Sequence, residues 1–230
     1  MFEYRSQPYL PTAEDLPSSD DTPVDNQLQH LIPTLLEEIL ARIWAERWDW
    51  YFGVDMGVYY DPDEPAIVPD GFLSIGVERV IDEDLRLSYL VWEEKQLPIL
   101  VIEIVSETYR GEYSKKRDKY AEIGVLYYGV YNPRRRRKPP LEVYRLVEGS
   151  YDLIPGNPVW LPEIGLGIGK EEGTHQGITR DWLYWYNEQG QRFLTTQECA
   201  QQAEQRATQA EQRAQMLEAR LRSQGIEPDL

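Results

Sequence analysis

The chain has 230 residues, which is long enough to bury a sizeable core and to form one domain with an appendage. The formal net charge of −16 at pH 7 means that the protein as a whole repels polyanions such as nucleic acid. The single cysteine, Cys199, excludes an internal disulfide and a zinc site made of several cysteines. With only His30 and His175 present, a site built from several histidines is also disfavoured, so any metal is expected to have oxygen ligands.

No segment approaches the roughly 18 consecutive apolar residues that a membrane-spanning helix needs, and the first residues lack an apolar leader. We therefore expect a cytoplasmic protein without membrane spans. Residues 1–22 are polar, acidic and rich in proline, and predict an extended arm of low order. Apolar residues then recur at helical spacing over residues 28–44, with Asp25 or Asn26 as the candidate N-cap and Pro33 as a kink or a late start.

Short apolar runs separated by turns fill most of residues 23–194, and their composition predicts strands. The turn Asn187–Gly190 is expected to close a final hairpin, in which Trp182, Tyr184, Trp185 and Tyr186 pack into the core. We predict one α/β (α+β) domain over residues 23–194, with a central mixed sheet flanked by two main helices. The predicted strands are Tyr51–Tyr60, Phe72–Ile75, Leu87–Trp92, Leu97–Val105, Val125–Tyr131, Leu141–Val147, Tyr151–Ile154, Pro158–Leu161 and Asp181–Tyr186.

One predicted strand contains a carboxylate where a buried strand should hold none. The run Pro98-Ile-Leu-Val-Ile-Glu103-Ile-Val-Ser106 is apolar on both faces except at Glu103. An ionised carboxylate in such a strand costs several kcal/mol unless a cation or several donors meet it. A metal ion could be that partner; a structural salt bridge to Arg117 or Lys119 is the alternative.

A second acidic residue stands at the entrance of an earlier strand. Pro69-Asp70-Gly71 forms a turn that leads into Phe72–Ile75, and Asp55 lies on the strand before it. A pair of carboxylates with water and phosphate oxygens is the coordination that Mg²⁺ prefers. The alternatives are an ordinary turn for Asp70 and a surface charge at a strand end for Asp55.

A lysine that could complete such a site follows on a predicted helix over residues 112–124. At about 100° per residue, Lys116 falls on the apolar side with Tyr113 and Tyr120, whereas Lys115 and Lys119 point away from it. We therefore expect Lys116, and not its neighbours, to approach the two carboxylates, unless it only extends along the helix edge towards solvent.

This succession of motifs resembles the Uma-type family of restriction-endonuclease-like proteins in the PD-(D/E)XK nuclease superfamily. The resemblance covers about residues 23–193 and rests on Pro-Asp, an apolar strand that ends Glu-x-Val-Ser, a helix with Lys four residues before Tyr-Ala-x-x-Gly-Val, and a strand that ends Tyr-Asn-Pro. It implies a restriction-endonuclease-like fold. The chain departs from the superfamily pattern at Val105, because the superfamily usually has a lysine at this position. In the Uma-type family the catalytic lysine has moved to the following helix, and the resemblance therefore implies that Lys116 is the catalytic lysine.

The resemblance also implies the chemistry, which is metal-dependent hydrolysis of phosphodiester bonds in nucleic acid, with DNA as the expected substrate. Asp70, Glu103 and the backbone carbonyl of Ile104 would hold Mg²⁺ or Mn²⁺, and Asp55 stands where the family often carries another acid. Lys116 would lower the pKa of the attacking water or stabilise charge on the phosphate. The catalytic residues implied are thus Asp70, Glu103 and Lys116.

The charge distribution leaves room for a nucleic-acid partner. Residues 1–30 are strongly acidic, whereas Arg134–Lys138 is an uninterrupted basic run after the strand Val125–Tyr131. The run could contact phosphates beside the site, or it could be the solvated tip of a hairpin. Residues 195–230 form a further predicted helix, in which an alanine-rich heptad seam from Ala203 to Leu221 predicts a weak coiled coil that supports a homodimer formed by the body. A solvated single helix is the alternative.

Three functions compete at this stage. The motif order favours a metal-dependent endonuclease. The missing strand lysine and the acidic charge leave open a catalytically inactive, dimeric interaction module with a nuclease fold. A glycosidase acid pair formed by Asp70 and Glu103 is the weakest alternative because a lysine is expected between the acids.

Overall fold

The structure, a computed structural model, describes residues 10–16, 26–81, 85–106, 111–135 and 137–224. The chain divides into two compact units, Met1–Phe193 and Leu194–Leu230. The helices are α1 (Gln27–Ile43), α2 (Val91–Glu94), α3 (Lys115–Ile123) and α4 (Thr196–Ser223). The strands are β1 (Trp50–Val54), β2 (Val58–Tyr59), β3 (Gly71–Ile75), β4 (Tyr89–Leu90), β5 (Leu100–Ile104), β6 (Tyr127–Tyr131), β7 (Leu141–Val147), β8 (Ser150–Ile154), β9 (Val159–Leu161), β10 (Leu166–His175) and β11 (Ile178–Tyr186).

A six-stranded mixed sheet in the order β1-β3-β5-β6-β7-β8 organises the first unit. Only β5 and β6 pair in parallel within it, and α3 lies between them in the chain, whereas the other neighbours are antiparallel. One face of the sheet shares a core with α1 and with the three-stranded sheet β11-β10-β9, and the other face shares a core with α3. The predicted fold class, a central mixed sheet flanked by helices, is confirmed.

Helix α1 starts where one of the two predicted caps places it. The Asn26 side chain accepts a hydrogen bond from the Leu28 backbone N–H, and Gln29 completes a capping box. The helix continues through Pro33, which is buried, so the predicted late start is wrong. Its apolar stripe, which includes Ile32, Leu36 and Leu40, is fully buried against the sheet.

Some predicted strands differ from the structure. The run Tyr51–Tyr60 is interrupted at Asp55, whose φ of 50° breaks it into β1 and β2. Leu87–Trp92 contains only the short β4, because the chain turns into α2 at Val91. Apolar β-formers favoured a strand there, but α2 buries Val91 and Trp92 as a single helical turn.

The final hairpin is shorter than predicted. The turn Asn187–Gly190 brings Arg192 back to an isolated antiparallel bridge with Tyr186, but the long partner of β11 is β10, which pairs with it along its whole length and which sequence patterns missed. Glycines interrupt the apolar alternation of β10, and they are required by packing, since a Cβ on Gly169 would lie 2.9 Å from Pro158 Cα. The four aromatic side chains predicted for the core are buried as expected (Trp182, Tyr184, Trp185 and Tyr186).

Of the predicted arm, only residues 10–16 are described; the rest lies outside the described residues. Leu10, Ala13 and Leu16 pack against a small cluster around Trp92, whose indole N–H donates to the Pro11 carbonyl at 3.1 Å. This part of the arm is therefore packed, not extended. The second unit contains α4, whose first turn is capped by a capping box between Thr195 and Glu198. None of the helices in the described parts of the chain has the length and apolar composition needed to span a membrane.

Candidate active site

The alternation of strand β5 directs Glu103 towards helix α3. Leu100, Ile102 and Ile104 belong to the core on the α1 side of the sheet. Their neighbour Val101 belongs to the core on the α3 side, together with Val105 just after the strand. Glu103 lies between these two residues in the same alternation, and it is 1% exposed. The carboxylate is thus buried beneath α3.

Two side chains of α3 meet the Glu103 carboxylate. The Lys116 ammonium lies 2.6 Å from Oε2, and the Tyr120 hydroxyl donates to Oε1 at 2.8 Å. Helical phase predicted the approach of Lys116. The alternative partners are engaged elsewhere, because Arg117 contacts Asp118 and Lys119 contacts Glu122. The Lys116 side chain remains 35% exposed, so the pair connects the buried carboxylate to solvent.

Asp70 reaches the same region from the neighbouring strand. In the antiparallel pairing of β3 and β5, Gly71 is opposite Ile102, which places the residue before Gly71 beside Glu103. The Asp70 carboxylate, in a residue 8% exposed, accepts the Ile104 backbone N–H at 2.5 Å through Oδ2. Asp70 and Glu103 therefore lie at one end of the sheet, as their positions in the sequence predicted.

Helix α1 also contributes to the position of Asp70. The Gln29 side-chain amide donates to Asp70 Oδ1 at 3.1 Å. Gly71 then brings the backbone against the helix, where an added Cβ would lie 2.9 Å from Pro33 Cβ. A side chain at residue 71 would force this turn away from α1, so the glycine of the Pro-Asp-Gly motif has a packing role.

The electrostatics of the site are dominated by the burial of its two acids. Burial, followed by the nearby Glu103 carboxylate, raises the pKa of Asp70 to about 8, although the Ile104 N–H and Lys116 act in the opposite direction. Burial also raises the pKa of Glu103, against the lowering effects of Lys116 and Tyr120. A bound cation would favour the ionised forms of both acids, so the pair is suited to cation binding.

Lys116 keeps its proton. Burial lowers the pKa of its ammonium, but the charge and hydrogen bond of Glu103, together with Asp70, outweigh that effect and raise the pKa above its usual value. At neutral pH this side chain is therefore a cation beside two acids and not a free base.

A family model described as "Uma2: Putative restriction endonuclease" matches residues 9–169. This chain belongs to the Uma2 family. The match extends from before α1 into β10, and it includes Asp70, Glu103 and Lys116. It confirms the resemblance found in the motifs. No curated protein matches the chain.

Sequence reasoning missed three residues of this Uma2 site. Tyr120 and Gln29 hold the two acids, and Glu112, which is 3% exposed, raises the pKa of both Glu103 and Lys116. Tyr120 follows Lys116 by four residues on α3, and Glu112 precedes Lys116 by four residues in the turn before the helix, a spacing that could have identified them. The contact of Gln29 with Asp70 spans 41 residues and has no local signal.

Asp55 lies near the acids through its backbone, because its N–H donates to the Asp70 carbonyl at 3.3 Å. Its side chain is exposed, and its charge is the smallest of the named influences on the pKa of Asp70. Within the described ranges, no cluster of three or more His, Cys, Asp and Glu side chains is arranged to hold a metal. Asp55 as a ligand thus stays a prediction.

The two carboxylates fit a hard divalent cation. Mg²⁺ is commonly held by one or two protein carboxylates and completes its octahedron with waters and phosphate oxygens, so Asp70 and Glu103 supply a sufficient protein share. The pKa directions point to the same conclusion, since burial disfavours the ionised forms of both acids and a bound cation would favour them.

The basic run of this Uma2 protein lies at the same end of the sheet. Tyr131, which ends β6, pairs with Ile104, and the loop that follows is closed by the Asn132 N–H donating to the Pro140 carbonyl at 2.7 Å. Arg135 stacks on Tyr113, just before α3, at 4.4 Å. The remaining described cations of the loop are exposed (Arg134, Arg137 and Lys138).

Proposed function

We propose that this Uma2-family protein is a divalent-metal-dependent endonuclease that hydrolyses phosphodiester bonds of DNA. The observation that carries the proposal is the buried Glu103, salt-bridged to Lys116 and adjacent to Asp70. Membership in a family described as restriction endonucleases supports nuclease-like chemistry. The metal, the DNA substrate and the roles of the residues are our proposal and go beyond the family description.

Asp70 and Glu103 would hold Mg²⁺ or Mn²⁺, with the Ile104 carbonyl and Asp55 as further candidate ligands. When bound, the metal would supply Lewis-acid stabilisation of the phosphate and a more acidic water. Asp70, with a pKa of about 8, must lose its proton to act as a ligand. Metal uptake near neutral pH should therefore release protons.

Lys116 would act as a fixed cation. Its raised pKa favours the ammonium form, which can donate to a phosphate oxygen and stabilise the charge that develops during hydrolysis. Its partial exposure gives the ammonium access to a substrate that approaches from solvent. Tyr120 holds the other Glu103 oxygen and orients the carboxylate.

The loop with Arg134, Arg137 and Lys138 is our candidate for phosphate contacts on either side of the cleaved bond. Its base lies next to Ile104, and its exposed cations locally oppose the net charge of −16. The alternative, a solvated hairpin tip, predicts that neutralising these side chains leaves DNA affinity unchanged.

Cleavage assays test the proposal directly. Duplex DNA, single-stranded DNA and RNA are incubated with Mg²⁺, with Mn²⁺ or with chelator. We expect metal-dependent cleavage of DNA that falls by at least about 100-fold in kcat for Glu103→Gln, Asp70→Asn and Lys116→Met. Lys119→Met, on the same helix but bonded to Glu122, is the matched control. Absence of cleavage of every substrate by folded, metal-loaded protein would instead favour the inactive interaction module.

We further propose a homodimer located in the cytoplasm. Large apolar side chains are exposed on the segments that flank edge strand β1, and an exposed apolar patch is typical of an association surface (Trp48, Val80, Ile81 and Leu85). Analytical ultracentrifugation of the protein, and of a variant with Trp48→Lys and Ile81→Lys, tests this association.

A further inference from the structure

Helix α4 carries two rows of opposite charge along an apolar seam. The seam residues follow one another at alternating spacings of four and three (Ala203, Ala207, Ala210, Ala214, Leu217 and Leu221). In the heptad register, the a positions are Ala207, Ala214 and Leu221, and the d positions are Ala203, Ala210 and Leu217. An arginine comes directly before each of these a residues, and a glutamate comes directly after each of these d residues. The g row is Arg206, Arg213 and Arg220, and the e row is Glu204, Glu211 and Glu218.

Most side chains of these rows have no oppositely charged residue within reach on the same helix; the exception is Glu218, which lies 3.8 Å from Arg222. Ion pairs along one helix join residues three or four apart, and the residues at those distances from Arg206 and Arg213 are glutamine, alanine, methionine and leucine. Glu204 and Glu211 likewise have only alanine, glutamine and threonine at those distances. The Arg206 side chain donates to the Gln202 carbonyl at 3.1 Å instead. A repeated charge pattern in which Glu218 alone of the two rows has an ion-pair partner on its own helix is suited to a partner helix.

The seam is accessible to such a helix. No residue of α4 is buried, and Leu217 at the seam is 54% exposed. At 1.5 Å per residue, the helix is about 42 Å long, enough for three heptads of contact. Alanine at most seam positions buries little area, so the flanking charges have a large share in choosing the partner.

The charge rows are complementary to themselves in only one orientation. In a parallel coiled coil, each g residue faces the e residue five positions later on the other helix, so Arg206 would face the partner's Glu211 and Arg213 the partner's Glu218. An antiparallel pair would place arginine against arginine and glutamate against glutamate, which repel. The occupant that fits this surface is thus a second copy of α4.

We infer that α4 binds α4 of a second copy as a parallel, in-register coiled coil selected by its Arg and Glu rows. This surface is independent of the nuclease site, and its failure would leave the proposed function intact. It adds orientation and register to the proposed homodimer.

Distances between spin labels test the inference on the full chain. The single native cysteine, Cys199, lies near the start of α4, and Ser223→Cys in a Cys199→Ser background places a label near its end. Parallel pairing predicts distances within about 25 Å, two helix diameters, at both positions. In an antiparallel pair centred on the seam, the two copies of Cys199 would be offset by 26 residues along the helix axis. At 1.5 Å per residue, the distance between their labels would be about 39 Å.

Variants with reversed charges on α4 provide a second test of the inference. The triple variants Arg206→Glu/Arg213→Glu/Arg220→Glu and Glu204→Arg/Glu211→Arg/Glu218→Arg should each lose the short distances, with at least about tenfold weaker pairing, and an equimolar mixture should regain them. Long distances at both labels, a short distance at Cys199 alone, no pairing, or short distances that survive in both variants would each overturn the inference.

Discussion

Replacing Asp70 with asparagine tests the electrostatics of the site without an activity assay. An unfolded aspartate titrates near pKa 3.9, whereas burial and Glu103 raise the pKa of Asp70 to about 8 in the folded protein. The native state therefore binds this proton more tightly than the unfolded chain. The resulting contribution to stability is fully present below about pH 4, falls as the pH rises, and is lost above about pH 8.

The magnitude follows from the two pKa values. At about 1.4 kcal/mol per pKa unit, ionised Asp70 destabilises the metal-free protein by at most about 6 kcal/mol. Relaxation of the turn and entry of water should reduce this to about 3 kcal/mol. Asparagine cannot ionise, but its amide N–H₂ would face the Gln29 donor, a cost of about 1 kcal/mol. At pH 5, about one unit above the pKa of an unfolded aspartate, wild type has already lost about 1.5 kcal/mol, so we expect the variant to be slightly more stable than wild type at pH 5 and about 2 kcal/mol more stable at pH 9.

Mg²⁺ should reverse that order. A cation that needs ionised Asp70 and Glu103 stabilises wild type, by about 2.7 kcal/mol at a concentration 100 times its Kd, and this stabilisation grows from pH 5 to pH 8. Asp70→Asn and Glu103→Gln should gain far less from the metal. The expected pattern is thus a variant that is more stable than wild type in chelator at high pH and less stable in Mg²⁺.

Urea denaturation at pH 5, 7 and 9, with chelator or with Mg²⁺, measures these differences. Asp152→Asn, which removes an exposed carboxylate on edge strand β8, is the matched control and should follow wild type throughout. Parallel stability curves for wild type and Asp70→Asn across this pH range would refute the raised pKa. Equal stabilisation of wild type and Glu103→Gln by Mg²⁺ would rule out Glu103 as a ligand.

Three further predictions concern the supports of the site and the tail. Tyr120→Phe removes a donor from buried Glu103, so the free energy of unfolding should fall by about 1.5–3 kcal/mol; an unchanged urea midpoint would show that the bond contributes nothing. Gly71→Ala should lower stability by about 1–3 kcal/mol and weaken Mg²⁺ binding in calorimetry, because the new methyl group meets Pro33; unchanged Mg²⁺ affinity would argue against this turn as the support of the site. Deletion of Thr196–Leu230 should leave a dimer in light scattering, since alanine knobs bury little area; a monomer would mean that α4 carries the association.

The sequence predicted those site residues whose side-chain directions depend on their neighbours in the sequence. Lys116 follows from helical phase, because α3 is regular from Lys115 to Ile123 and its apolar side is clear. Glu103 follows from its conflict with a buried strand, and Asp70 from the turn that precedes β3. In each case, the neighbours in sequence determine the direction of the side chain.

The errors in the predicted secondary structure have their cause in tertiary packing. Strand β10 has glycines where a strand pattern expects side chains, because Tyr186 and Pro158 occupy that space. Helix α2 forms from residues with β propensity because its single turn buries two of them. Neither effect is visible before the elements that pack together are known.

Gln29 shows how helix formation and the site depend on one another. Its Oε1 accepts the Asn26 backbone N–H and closes the capping box of α1, which leaves the N–H₂ group directed at Asp70 Oδ1. A capping box accepts glutamate or glutamine at this position with similar effect on the helix. Glutamate, however, would bring a further carboxylate to Asp70, whose pKa is already raised by Glu103. The helix end alone would permit either residue, and the charge of the site selects the amide; the first turn of α1 is therefore part of the candidate active site as well as its scaffold.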